Sequence, residues 1–140
     1  MFLGSQLDSA GGGWNKSFGD GKTQLGRKVV VGESGDVVVS GLLMGDADFG
    51  GGKLSGIGST DYFLAKFDQA LGHIWSRAVV GPNSKSASVG IDAKGDVFAF
   101  GDFNGSLEQK LCRDANYYPV GLGRLRSHSR SYVGHVRRRD

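Results

Sequence analysis

The feature that most constrains this chain is a turn motif that occurs twice, 60 residues apart. Gly35-Asp36-Val37 recurs as Gly95-Asp96-Val97. Further matches follow at offsets of 60 or 61: Gly41 with Gly101, Gly45 with Gly105, Trp14 with Trp75, and Phe2-Leu3 with Phe63-Leu64. A period of this length predicts supersecondary units, each of which buries its apolar face against the next.

One full unit lies at residues 26–80 and contains four apolar runs, at 28–31, 37–43, 62–67 and 74–80. Their β-branched and aromatic residues are bounded by Gly, Asp and Ser, which is typical of strands. Frequent glycine argues against a helix. We therefore predict an all-β fold in which the four runs form one antiparallel sheet in meander order. A tight turn joins the first two strands and a longer glycine-rich link joins the second and third.

Three segments carry a resemblance to a known family: VVVGESGDVVVSG, DADFGGG and STDYFLAKFDQALGHIWSRAVVG. They are similar to the β-propeller repeats of large bacterial surface and secreted proteins, and the similarity covers about residues 2–108. It implies propeller-like blades, namely a half blade at 2–18, a full blade at 26–80 and a half blade at 87–103. It also implies a non-catalytic scaffold or binding role, and an extracellular or cell-surface location.

A closed propeller takes about four to eight blades. We therefore expect an incomplete propeller fragment, whose exposed strand edges and apolar faces favour self-association. The partner itself is unknown from the sequence. Residues 1–4 are too short for the apolar core of a signal peptide, so no signal is expected in this chain. No apolar run reaches the length of a membrane span either.

Residues 109–140 differ from the rest in composition. They carry eight basic and two acidic side chains, whereas residues 1–108 carry nine basic and 12 acidic ones. We expect a disordered basic tail. Two alternatives stay open: a shifted reading frame that replaced the end of the third unit, and a tail that binds nucleic acid or an anionic surface through its arginines. The acidic repeat region gives no reason to expect nucleic acid as a partner.

Candidate chemistry in the repeat region is sparse. Asp46, Asp48 and Asp61 are weak candidates for a calcium site. Calcium requires six to eight oxygen ligands, and beyond these carboxylates only backbone carbonyls are plausible additions. The segment 50–53 (GGGK) lacks the first glycine and the Ser or Thr of a phosphate-binding loop. No nucleophile, base and orienting group can be assembled, so we predict no enzyme activity, no cofactor and no firm metal site.

The repeated residues are expected to be structural. Gly35 and Gly95 provide turns, and Asp36 and Asp96 follow them in the same positions. Trp14 and Trp75 could serve as sugar-stacking platforms, but at equivalent positions of a repeat they are more typical of packing between blades. A small carbohydrate- or calcium-binding module is therefore the alternative to a structural or interaction module.

Overall fold

The computed structural model describes residues 1–4, 15–19, 21–56, 60–80, 86–103, 108–109, 117–122 and 130–138. In chain order the strands are β1 (Phe2–Gly4), β2 (Asn15–Ser17), β3 (Gln24–Val31), β4 (Val37–Leu43), β5 (Asp46–Asp48), β6 (Lys53–Ser55), β7 (Asp61–Phe67), β8 (His73–Val80), β9 (Ser86–Ile91), β10 (Val97–Phe103), β11 (Glu108–Gln109), β12 (Tyr117–Leu122) and β13 (Arg130–Arg138). The predicted all-β class is confirmed. Within the ranges given above there is no helix that could cross a membrane.

The strands form two large antiparallel sheets and two small hairpins. Sheet I has the order β11-β8-β7-β4-β3, and sheet II has the order β12-β13-β10-β9. The hairpins are β1-β2 and β5-β6. In sheet I the strands β3, β4, β7 and β8 lie side by side in chain order, which agrees with the predicted meander, and β11 extends the sheet beyond β8.

The link between β4 and β7 is more ordered than the sequence analysis predicted. We expected a glycine-rich connection, but it contains the β5-β6 hairpin, in which Ala47 lies opposite Leu54. Three-residue strands are too short to show a clear period of two, so the alternation of polar and apolar residues did not reveal them. The hairpin matters because Ala47 and Phe49 enter the core of the molecule.

Three turns between neighbouring strands are built alike, at residues 32–36, 68–72 and 92–96. In each, the first amide donates to the fifth carbonyl and the fourth amide donates to the first carbonyl. The fourth residue has a positive φ, 82° at both Gly35 and Gly95. This conformation explains why glycine stands at both positions. The third turn has Leu71 instead, at φ 62°, and its side chain is buried, so apolar burial offsets the backbone strain.

The centre of sheet I is covered on both faces, because every residue of β4 and of β7 is buried. One face forms the outer core, beneath the two hairpins. It consists of Phe18, Val37, Val39, Leu43, Ala47, Phe49, Phe63, Ala65, Phe67 and Leu71. Phe49 is at its centre, with its ring centroid 4.7 Å from that of Phe63 and 5.3 Å from that of Phe18.

The other face of sheet I packs against sheet II and forms the intersheet core. It consists of Val38, Leu42, Tyr62, Leu64 and Trp75 from sheet I, with Val89, Val97 and Ala99 from sheet II. The valine runs that we interpreted as strands buried on both faces therefore divide their side chains between two cores. This is the alternation that a pleated strand imposes.

The two sheets have the same orientation in the stack, as the side chains of repeat-equivalent residues show. Val37 of sheet I faces away from sheet II, whereas Val97, 60 residues later, faces towards sheet I. Val38 faces sheet II, whereas its counterpart Phe98 lies outside the intersheet core and is 40 % exposed. Residues 60 positions apart thus lie on the same side of their respective sheets. Sheet II is therefore related to sheet I by a displacement and does not meet it with the same face.

The predicted disorder of the basic tail is not confirmed for the parts that the structure describes. Residues 130–138 form β13, which pairs with β10 from Val97↔Val136 to Phe103↔Arg130, and β12 pairs with β13. Our prediction relied on side-chain type, whereas strand pairing is made by backbone groups that every residue except proline supplies in full. The neighbour of β10 on the side away from β9 is β13. Residues 123–129 lie outside the described part.

Candidate functional site

A cleft opens where turns of the two sheets meet. It has a volume of about 380 Å³. Ser34 and Asp36 come from the turn between β3 and β4, and Ala93, Lys94 and Gly95 come from the turn between β9 and β10. Lys66 and Ile74 of sheet I complete the lining. Both sheets therefore build the cleft, and neither could form it alone.

Lys66 is the central residue of this cleft. It lies on β7, in the same alternating set as Tyr62 and Leu64, and that set faces sheet II. Its side chain is only 4 % exposed. A lysine in this position can bury its aliphatic stem along the end of the intersheet core and carry the ammonium group to the turns.

The Lys66 ammonium joins the two sheets. Its Nζ donates to Asp36 Oδ2 at 3.0 Å, in the turn of sheet I, and to the carbonyl oxygen of Gly95 at 2.9 Å, in the turn of sheet II. A buried charge is costly unless it is paired and hydrogen-bonded, and both conditions are met here. The same arrangement explains why Asp36 follows the glycine turn, because its carboxylate faces the lysine.

Replacing Lys66 by methionine is expected to lower the free energy of unfolding by about 2 kcal/mol. The substitution removes both the charge-assisted hydrogen bond to Asp36 and the hydrogen bond to the carbonyl oxygen of Gly95. Methionine keeps most of the side-chain volume, so the loss reports on the polar contacts. Asp36 is partly exposed and water can solvate it in the variant, which keeps the effect below that of a fully buried pair. Urea unfolding followed by circular dichroism measures the difference.

Lys53→Met is the matched control. Lys53 Nζ lies 2.6 Å from Asp46 Oδ2, but these side chains are 67 % and 35 % exposed. Breaking this pair is expected to change the stability by less than about 1 kcal/mol. Equal effects of the two substitutions would show that the Lys66 contacts do not hold the sheets together.

Of the three aspartates predicted as weak calcium ligands, two have separate structural contacts and the third is buried. Asp46 pairs with Lys53, and Asp48 Oδ1 accepts hydrogen bonds from the amides of Gly50 and Gly52. Asp61 is fully buried at the start of β7. Over the described ranges, no group of three or more His, Cys, Asp or Glu side chains is placed to hold a metal ion.

The glycine segment 50–52 forms the turn of the β5-β6 hairpin and closes over His73. A Cβ atom at Gly51 would collide with the His73 ring unless that side chain moved. His73 Nε2 lies 3.1 Å from Ser76 Oγ, a distance that would suit a base and a nucleophile. Ser76 is buried, however, so substrate could not reach it in this arrangement.

The tryptophans and the repeated aspartates are placed as follows. Trp75 is fully buried in the intersheet core and cannot serve as a sugar-stacking platform. Trp14 lies outside the described residues. Asp96 is buried, and its amide donates to Asp92 Oδ1 at 2.9 Å. Asp36 contacts the cleft lysine through its carboxylate.

The sequence analysis missed Lys66 and Lys94 as cleft residues. One signal was present, since Lys66 is the only charged residue between the aromatic residues Tyr62 and Phe67. A charge within an otherwise apolar buried strand needs a partner. The partners come from positions 30 residues before and 29 residues after it, and nothing local in the sequence specifies them.

Comparisons with protein-family models, with curated proteins and with solved structures find no match for this chain. The similarity to propeller repeats therefore stays a hypothesis from the sequence. The arguments that follow depend on the geometry of the two sheets and of the cleft.

Proposed function

We propose that this chain is a non-catalytic structural or interaction module, derived from the repeat β-propellers of bacterial surface or secreted proteins. Residues 2–18, 26–80 and 87–103 correspond on this proposal to a half blade, a full blade and a half blade. The stacking of the two sheets in one direction supports it, since successive propeller blades also stack face to face. So do the matching turns at Gly35 and Gly95, with their equal φ angles of 82°.

The observation that carries the interaction role is the free edge of sheet I. β3 is eight residues long and pairs with β4 on one side; among the described strands, none pairs with its other side. Three of its large apolar side chains are exposed, at Leu25, Val29 and Val31. An edge strand with open backbone groups and apolar side chains is a ready template for another strand.

The partner that this edge suits best is a second copy of the chain. In an antiparallel pairing centred on Val29, each Lys28 would lie opposite a Val30 and each Arg27 opposite a Val31. No like charges would then face each other directly, which is the condition that an edge-to-edge pair must meet. Such a dimer would join two five-stranded sheets through backbone hydrogen bonds.

Self-association is the expected result in solution. Sedimentation velocity of the full chain at micromolar concentrations should show a species heavier than the monomer, and the double substitution Val29→Lys/Val31→Lys should shift the population to monomer. The added charges repel each other across the edge and remove its apolar surface. We expect at least a tenfold weaker association.

A charge-matched control is Thr23→Lys/Ser55→Lys, which adds two lysines at exposed positions outside β3. It should associate as the unmodified chain does. A monomeric wild-type chain that melts cooperatively would contradict the proposal, and so would equal effects of the two double variants.

A further inference from the structure

We propose that the cleft between the two turns binds a neutral polyhydroxylated small molecule, such as a monosaccharide. The proposal goes beyond the interaction role of the β3 edge and does not depend on it. It follows from the hydrogen-bonding capacity, the charges and the shape of the groups that Lys66 brings together.

The Lys66–Asp36 pair has unused capacity that complements a hydroxyl group. An ammonium group has three donors, and Lys66 uses two, to Asp36 Oδ2 and to the Gly95 carbonyl. Over the described residues, Asp36 Oδ1 accepts no hydrogen bond, and its side chain is 22 % exposed at the cleft. A hydroxyl both donates and accepts, so two neighbouring hydroxyls of one ligand can accept from Lys66 and donate to Asp36.

The charges of the cleft disfavour ionic ligands. A carboxylate that approached Lys66 would also approach the Asp36 carboxylate, because the two side chains are only 3.0 Å apart. An amine that approached Asp36 would meet the ammonium group of Lys66, and Lys94 adds a second positive charge to the lining. Like charges at such distances repel strongly where water is partly excluded. A neutral ligand with alternating donors and acceptors avoids both penalties.

The remaining lining fits the same class of ligand. Ile74 and Ala93 give the cleft an apolar wall, against which the C–H face of a sugar ring can pack. Ser34 and Lys94 add polar groups from opposite turns. A volume of about 380 Å³ is at the small end of the range of about 300–1,000 Å³ for small-molecule sites, so the cleft suits one sugar ring better than a chain.

The test is saturation-transfer difference NMR on the full chain. The neutral probes are the methyl glycosides of glucose, galactose, mannose and N-acetylglucosamine, and the charged probes are acetate and methylammonium. We expect saturable transfer to at least one glycoside and none to either ion. Transfer to no glycoside, or stronger binding of acetate or methylammonium than of every glycoside, overturns the proposal.

The blocking variant is Ala93→Trp, which fills the cleft from an exposed turn position and leaves Lys66 and Asp36 in place. It should weaken glycoside binding at least tenfold with an unchanged midpoint of urea unfolding. The matched control is Ala70→Trp, at an exposed position of the similar turn 68–72, which does not line this cleft. Undiminished binding by Ala93→Trp would place any sugar site elsewhere and overturn the assignment.

Discussion

Replacing Trp75 by alanine is expected to lower the free energy of unfolding by about 3–5 kcal/mol, the range for removing a large buried aromatic side chain. Trp75 is fully buried in the intersheet core, where it belongs to one cluster with Leu64 and Val97. The Arg77 guanidinium carbon also lies 5.8 Å from the centre of its ring. The cavity would lie between the two sheets and weaken their packing. Urea unfolding monitored by far-ultraviolet circular dichroism gives the measurement.

Trp75→Phe is the control for this substitution. It keeps an aromatic ring in the intersheet core and removes less volume, so its loss of stability should be clearly smaller. If Trp75→Ala were as stable as the unmodified chain, Trp75 would not be a packing residue. In that case the packing of sheet I against sheet II would not depend on the side chain of Trp75.

Replacing Gly41 by alanine is expected to cost about 3 kcal/mol, because the added methyl group has no room. Gly41 lies in the middle of β4, beside the irregular register of β3 between Gly26 and Lys28. A Cβ atom there would collide with the carbonyl oxygen of Leu25 and would lie 2.7 Å from Cε1 of Phe63. The first of these is backbone, which cannot rotate away. Thermal unfolding of the Gly41→Ala variant and of the unmodified chain measures the loss of stability.

Gly90→Ala is the matched control within a strand. Gly90 lies in β9, and a Cβ atom there would have no neighbour within 4 Å. This substitution should be neutral or slightly stabilising, because alanine restricts the unfolded chain more than glycine does. A similar loss at both positions would show that strand glycines matter here through flexibility and not through close approach.

Some elements were predictable because their determinants are local. The strands β3, β4, β7 and β8 follow from β-branched and aromatic runs bounded by polar turns, and Gly35 marks the first turn because it takes a φ of 82°. Chain order then places consecutive antiparallel strands side by side, which is the commonest connection. The β5-β6 hairpin did not follow, since three-residue strands carry too short a pattern.

The candidate site was not predictable in the same way. Asp46, Asp48 and Asp61 were proposed together because they are near one another in sequence, yet Asp46 and Asp48 have separate structural contacts. Asp36 and Gly95 lie 30 residues before and 29 residues after Lys66. The pairing of β4 with β7 brings Asp36 within 3.0 Å of Lys66 Nζ, and the stacking of the two sheets brings the Gly95 carbonyl within 2.9 Å of it. Hydrogen bonds of this kind have no periodic signature in a sequence.

The sequence by itself determined the all-β class, the strands of the central unit and the glycine turns, since these depend on side-chain shape and backbone conformation within a few residues. Only the tertiary structure decided which face of each strand meets which core, how β10 obtains β13 as its neighbour, and where a buried lysine finds its partners. Backbone groups pair with almost any strand that reaches them, and burial depends on what lies across the sheet. Those choices are therefore made by contacts between residues far apart in the chain.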